Sequence, residues 1–435
     1  MIFFAFFLHL LLFGSLLYLT NFKKNYFNPV YFLMYANYFY FFIIWILWYF
    51  VDKNYIFKYQ YGYYLTLLHG IGLIIGVLYA QKLNKKLIIN ISKLLIKSKF
   101  EYISAKSLFY TFIFFSVIII YITYDIYQTL NPIEILVKIE ATKQLGIQYK
   151  SGLSYFIKPI QTLLILIFCF LIYRSFLERK VKYIVYSLII YVLMALALGS
   201  KSMVVFPLFY IFIIKHNFFK KVSLKNIVIV GVLVLLFIPF LELVRQGLTY
   251  RIDENGFASI IHTLVGRINM QLYLTKFYEH GFYNIDYPNS LYHFFTYFIP
   301  RSLLENIGIV DKPIPFGLAY TRYVTDRPEV YMTVAGGGIA EWIHNFSIFD
   351  NIYIIYFSIV LGGFISGFVM GILYRITQLN NVSKFIIILI FIHIGTFFEF
   401  GFSVTIGTFE TIFTLIFLII ATNLFIWKKR GLHKA

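Results

Sequence analysis

Residues 351–374 read NIYIIYFSIVLGGFISGFVMGILY, twenty-four positions without a charge between Asp350 and Arg375. A helix needs about 20 predominantly apolar residues to cross a hydrocarbon core of about 30 Å, so this run predicts a transmembrane span. Ten further windows of similar character lie near 1–20, 30–51, 62–80, 107–127, 159–177, 183–199, 202–215, 227–243, 385–399 and 404–427. The expected fold class is therefore an all-α polytopic membrane protein with about eleven transmembrane helices. Composition agrees, because a chain that is 60% hydrophobic and 13% charged, with mean hydropathy +0.78, is excluded from the soluble globular class. The N-terminal run lacks a basic leader and a small-residue cleavage site, and reads as the first span. The lone Cys169 excludes a disulfide framework within the chain and a zinc site built on several thiolates.

The net charge of +19 follows membrane topology and not nucleic-acid binding, since the lysines lie in short connections between windows. Alternate connections, 21–29, 81–106, 174–182, 215–226, 375–384 and the tail from Lys428, hold 23 Lys and Arg against two acids, Glu101 and Glu178. These segments are expected in the cytoplasm, which places the N-terminus outside and the C-terminus inside. Lys82 to Lys106, with seven lysines and an apolar set at Leu87, Ile91, Leu94 and Leu95, reads as an amphipathic helix on anionic membrane lipids. The 51 Phe and 38 Tyr read chiefly as lipid-facing or interfacial residues.

The chain thus divides into residues 1–243 with eight spans, a long extracytoplasmic stretch 244–350, and residues 351–435 with three spans and the tail. The middle stretch holds six of the ten Arg and ten of the nineteen acids, but two of the 28 Lys. A guanidinium grips phosphate or carboxylate through two parallel bonds, whereas an ammonium is a hydrated point charge, so this partition points to an anion site. Asp125, Glu242 and Glu399 fall at the extracytoplasmic ends of their windows, and Glu410 about two turns in, which suggests one chamber open to the outside. Tyr183 to Ile214 must cross twice in 32 residues where about 40 are needed, so the Gly199-Ser200-Lys201-Ser202 turn is expected below the surface, lowering Lys201 into that chamber. A lysine snorkelling from a hairpin tip is the structural alternative.

Within the stretch, Phe257 to Tyr278 reads as a helix interrupted by Arg267, and Ser290 to Ile299 as a short interfacial or re-entrant segment ended by Pro300 and Arg301. Arg322, Asp326, Arg327 and Glu329 crowd together, as anion ligands or as a salt-bridged loop. Gly336, Gly337 and Gly338 precede a predicted helix, Ile339 to Phe346, on which Glu341, His344 and Asn345 share one face at i, i+3 and i+4. A carboxylate beside an imidazole and an amide suits a general base with its orienting groups; a helix cap and polar rim is the alternative. No phosphate-binding Gly-Lys-Ser/Thr loop, metal-spaced His or Cys cluster, DxD pair or serine nucleophile elbow is present in the sequence.

The order of Gly199-Ser200-Lys201-Ser202, Arg267, Ile299-Pro300-Arg301, Asp311-Lys312-Pro313 and Gly336 to Phe346 resembles the bacterial oligosaccharide repeat unit polymerases, the Wzy-type O-antigen and capsule polymerases. The resemblance implies a GT-C-like membrane glycosyltransferase, of the bacterial cytoplasmic membrane, using neither metal nor other cofactor. It implies transfer of a growing glycan from undecaprenyl diphosphate to the next lipid-linked oligosaccharide unit at the extracytoplasmic face, with a chain-length regulator protein as a further partner. By that analogy Arg267 and Arg301, with Arg245, Arg322 or Arg327, hold the diphosphate. Glu341 with His344 and Asn345 serves the acceptor. Members usually carry Arg where Lys201 stands, which keeps the charge and loses the fork. An O-antigen ligase would use the same donor, and a lipid-linked oligosaccharide flippase would share the span count but should show internal repeats, of which none is evident.

Overall fold

A computed structural model describes residues 2–19, 60–84, 103–131, 157–198, 202–223, 337–349 and 351–379, with residues 86, 88, 134, 135, 138, 225, 226, 228, 229, 274–276, 279 and 388. Every regular element among the described residues is helical: α1 (Ile2–Leu19), α2 (Gln60–Lys82), α3 (Ala105–Tyr127), α4 (Ile157–Leu177), α5 (Lys182–Leu198), α6 (Ser202–Phe218), α7 (Gly337–Phe346) and α8 (Ile352–Thr377). A single 3-10 turn, Ser347–Phe349, joins the last two. Seven of the eleven windows thus correspond to helices within a few residues. The windows at 30–51, 227–243, 385–399 and 404–427 lie outside the described residues. Helices α2, α3 and α8 are long and apolar enough to cross a membrane, as expected of a membrane-embedded protein. Helices α5 and α6, at 17 residues each, are about 25 Å long and shorter than a full crossing.

The chain forms two compact units, residues 1–90 with 261–379 and 393–408, and residues 91–260 with 380–392 and 409–435. Of the stretch that the sequence set apart as an outer loop, the described residues 274–276, 279 and 337–349 fall in the same unit as α2 and α8.

In the first unit α2 and α8 lie side by side over most of their length. Gly72, Gly76 and Ala80 form a ladder at four-residue spacing on α2, and Gly363, Gly367 and Gly371 form another on α8. Small residues at this spacing let helix backbones approach closely in a bilayer, where lipid supplies no hydrophobic drive for helix association. The approach is close enough that a Cβ on Gly72 would meet the Val360 carbonyl, one on Gly363 the His69 carbonyl, and one on Gly371 the Ala80 methyl at 2.5 Å. Partners rise together along the two helices, so α2 and α8 run parallel.

Both ends of α2 are closed by distant residues. The amide of Gly62, in the first turn, donates to Thr275 Oγ1 at 2.9 Å, satisfying one of the amides a helix start leaves open. At the other end Arg375, in the last turn of α8, donates through Nη1 to the carbonyls of Ala80 (2.9 Å) and Leu83 (2.6 Å). Helix α1 packs against α2.

The second unit contains α3 to α6. Phe112 of α3, Phe168 of α4 and Tyr191 of α5 meet in a buried aromatic triad with centroids 4.9 to 5.8 Å apart. Phe109 lies 5.2 Å from Tyr183 near the starts of α3 and α5, and Tyr173 lies 5.5 Å from Phe218 near the ends of α4 and α6. The helices therefore alternate in direction, and the segments around 103–106, 174–182 and 215–223 gather at one end. Three of the Lys-rich connections that the sequence assigned to one face are brought together there. Glu178 is the acid among them. Its carboxylate accepts from the Ala105 amide at 3.1 Å and pairs with Arg174 and Lys180, each at 3.0 Å. Lys180 N bonds Ser175 O and Arg179 N bonds Phe176 O, with Arg179 in the left-handed region at φ 57°, so the α4 terminus is a Schellman turn. Exposed Tyr110, Phe114, Val117, Tyr121 and Tyr124 form one stripe on α3, with tyrosines towards both ends as expected of a lipid-facing surface.

The glycine ladders predict that Gly363→Ala destabilises the protein by roughly 1–3 kcal/mol through overpacking. Gly70→Ala, where a Cβ meets nothing within 4 Å, should be neutral or stabilising. Thermal denaturation of both variants in detergent checks the contrast. A second prediction concerns pH. Burial opposes ionisation of Glu178, but the Lys180 and Ala105 hydrogen bonds and the charges of Lys180 and Arg174 outweigh it and hold the carboxyl below the usual range. Its stabilisation is present above the ordinary carboxylate range and is lost as pH falls through the lowered folded value. Glu178→Gln should therefore melt earlier than wild type at neutral pH, and the gap should close on acidification.

Candidate functional site

Helix α7 carries Glu341, His344 and Asn345, and the structure buries all three, at 2%, 8% and 3% exposure. Ile339, Ala340, Trp342 and Ile343 between and beside them are buried as well. None of the three polar residues is without an interaction partner. Spacing alone allowed a solvated polar rim; the burial excludes it. The helix begins at Gly337, so Gly337 and Gly338 occupy its first turn and do not precede it as the sequence suggested.

The placement of α7 follows from Trp342. Its indole lies over Gly362, where a Cβ would come within 2.5 to 2.7 Å of three ring atoms, and its carbonyl accepts from Ser358 Oγ at 3.4 Å. Gly362 is roughly ten residues, about 15 Å, into α8. After α7 the chain turns through Ser347–Phe349, where Ser347 Oγ donates to His344 O at 2.7 Å. Asn351 then caps α8 by accepting from the amides of Tyr353 (2.9 Å) and Ile354 (3.4 Å). Helix α7 therefore runs antiparallel to the first half of α8, with its N-terminal end directed towards the middle of α8. The sequence placed these residues in the long extracytoplasmic stretch 244–350, which its charge content set apart from the spans. In the structure they lie against a span and also touch α2.

The helix has two working sides. Trp342 and Phe346, four residues apart, stack at 5.9 Å on the side facing α8. At about 100° per residue, the Glu341, His344 and Asn345 face is centred roughly 130° away from them. The apolar side fixes the helix, and the polar side is thereby aimed away from α8. A carboxylate and an imidazole held in this way, with water restricted, can exchange a proton with a bound hydroxyl.

Of the other sequence-derived candidates, Lys201, Arg245, Arg267, Arg301, Arg322 and Arg327 lie outside the described residues, as do Glu242, Glu399 and Glu410. Asp125 lies in the last turn of α3, its carbonyl accepting from Gln128 Nε2 at 2.7 Å. Among the described residues no group of three or more His, Cys, Asp or Glu is placed to hold a metal ion. Sequence reasoning passed over His69, which is 5% exposed at the α2–α8 seam, and the Gly362–Trp342 contact. An imidazole in the otherwise apolar 62–80 window was the available signal for the first. The second had none, because the contact joins positions whose meeting depends on the α7 turn.

The fold and site define a helical membrane protein with a buried acid–imidazole–amide face on a short helix packed beside a span. Comparison with protein-family models, curated proteins and solved structures finds no match.

If Trp342 seats α7, Trp342→Ala should cost on the order of 3–5 kcal/mol locally. Limited proteolysis should then cut between 337 and 351 at protease levels that leave wild type intact, with α2 and α8 retained.

Proposed function

We propose that this protein polymerises oligosaccharide repeat units carried on undecaprenyl diphosphate into an O-antigen or capsular polysaccharide. The growing glycan is transferred to a hydroxyl of the next lipid-linked unit at the extracytoplasmic face of the bacterial cytoplasmic membrane. The observation that carries this reading is the buried Glu341, His344 and Asn345 face of α7, in a chain whose Arg is concentrated between apolar spans.

The chemistry is an inverting displacement. The acceptor hydroxyl oxygen attacks the anomeric carbon as Glu341 takes its proton, oriented by His344 and Asn345. The bond from that carbon to the diphosphate oxygen breaks, and undecaprenyl diphosphate leaves with the electron pair. Arg245, Arg267, Arg301, Arg322 and Arg327, with Lys201, supply candidate cations for the charge that develops there. Neither a metal nor another cofactor enters this scheme.

The eleven-span, GT-C-like arrangement belongs to the same proposal and has support from chain direction. Parallel spans α2 and α8 require an odd number of crossings between them. Helices α3, α4, α5 and α6, with the window at 227–243, make five. In that arrangement Lys82 and Arg375 share the cytoplasmic side, and α7 descends from the outer side beside α8.

Complementation of a deletion strain tests the assignment. Wild type should restore long glycan, and Glu341→Gln should abolish it, by at least 100-fold, at unchanged protein level. Long glycan made by Glu341→Gln alone removes that residue from the role. In the deletion strain, single repeats on the final anchor support a polymerase. Polymer held on undecaprenyl diphosphate points instead to a ligase, and lipid-linked units trapped inside point to a flippase.

A further inference from the structure

Three buried hydroxyls along the α2–α8 seam bond to carbonyls of their own helix. Thr66 Oγ1 donates to Gly62 O at 2.8 Å, Ser358 Oγ to Ile355 O at 2.7 Å and Ser366 Oγ to Gly362 O at 2.9 Å. Arg375 spends its guanidinium on the end of α2. His69 is also buried, yet its Nδ1 has no hydrogen-bond partner among the described residues. A polar atom left unbonded at such a depth costs free energy of order 1–3 kcal/mol, which a leucine in its place would avoid.

Its position gives that cost a use. Consecutive residues of α8 make the two decisive contacts: Gly362 lies under the Trp342 indole of α7, and Gly363 lies against the His69 carbonyl of α2. His69 and the residue that seats α7 are thus fixed at one level of the same helix by adjacent glycines. On α2, His69 shares its side with Gly72, Gly76 and Leu73, the residues that meet α8. It lies about nine residues, roughly 14 Å, from the start of α2, the end at which Thr275 and α7 also lie.

We propose that His69 is a further functional side chain of the α7 site, its imidazole retained to hydrogen-bond a sugar hydroxyl of the glycan substrate. A neutral imidazole offers one donor and one acceptor, which matches a hydroxyl that must give and take a hydrogen bond. The proposal rests on the glycosyl-transfer reading above, and stability separates it from a structural role. A histidine kept for packing loses stability when replaced; one kept unbonded for a ligand loses function instead.

The experiment compares wild type, Glu341→Gln, His69→Leu and His69→Asn for thermal stability in detergent and for glycan made in the deletion strain. The expected result is that His69→Leu melts at or above wild type while long glycan falls at least tenfold. His69→Asn, whose amide stands near the place of Nδ1, should recover much of that loss. A lower melting temperature for His69→Leu, or full glycan from it beside an inactive Glu341→Gln, overturns the proposal. No glycan from wild type overturns the glycosyl-transfer reading itself, and a stable His69→Leu in that case still marks the histidine as an unbonded group whose ligand is of another class.

Discussion

Backbone contact between α2 and α8 is the constraint on which the first unit depends. Two ladders of small residues bring the helix axes so near that carbonyls occupy the space where side chains would stand. Van der Waals packing along such a seam is what holds helices together in a medium as apolar as they are. The contact also sets direction. Because the ladders meet in parallel register, Lys82 and Arg375 end at the same side, and Arg375 can close the carbonyl end of α2.

Helix α7 inherits its position from that seam. Gly362 and Gly363 are neighbours in sequence but face different partners, one receiving the Trp342 ring and the other the backbone at His69. A side chain at Gly362 would displace the indole, and with it the turn that aims Glu341, His344 and Asn345. The candidate site is thus built on rigid spans although it is carried by a segment that looks, by length and composition, like part of a loop. This is a common economy in membrane proteins, where non-spanning backbone at depth is tolerated only when buried in protein.

The second unit follows a different logic. Its helices meet through large aromatic rings at Phe112, Phe168 and Tyr191, and its basic end is ordered around one carboxylate, Glu178. That acid bonds the open amide of Ala105 while pairing with Arg174 and Lys180, so it joins the start of α3 to the turn between α4 and α5. Like charges gathered at one end would repel; a half-buried counter-charge at Glu178 and lysines laid over aromatic rings, such as Lys215 over Phe176, reduce that repulsion.

Hydrophobic run length by itself determined the class of protein and, for the seven windows that fall among the described residues, the bounds of the helices, because a bilayer demands apolar length wherever the chain crosses, irrespective of what lies beside it. Windows such as 107–127 and 159–177 needed no tertiary information to be placed within two residues of α3 and α4. The Glu341, His344 and Asn345 face was likewise legible, since helical periodicity is local. Which of those faces is buried was not. The glycine ladders stood in the sequence at four-residue spacing, yet their pairing across nearly 300 positions, the antiparallel return of α7 and the seat of His69 depend on contacts between distant segments. Only the tertiary structure decided these, for spacing reports what shares a helix face and carries no record of what that face meets.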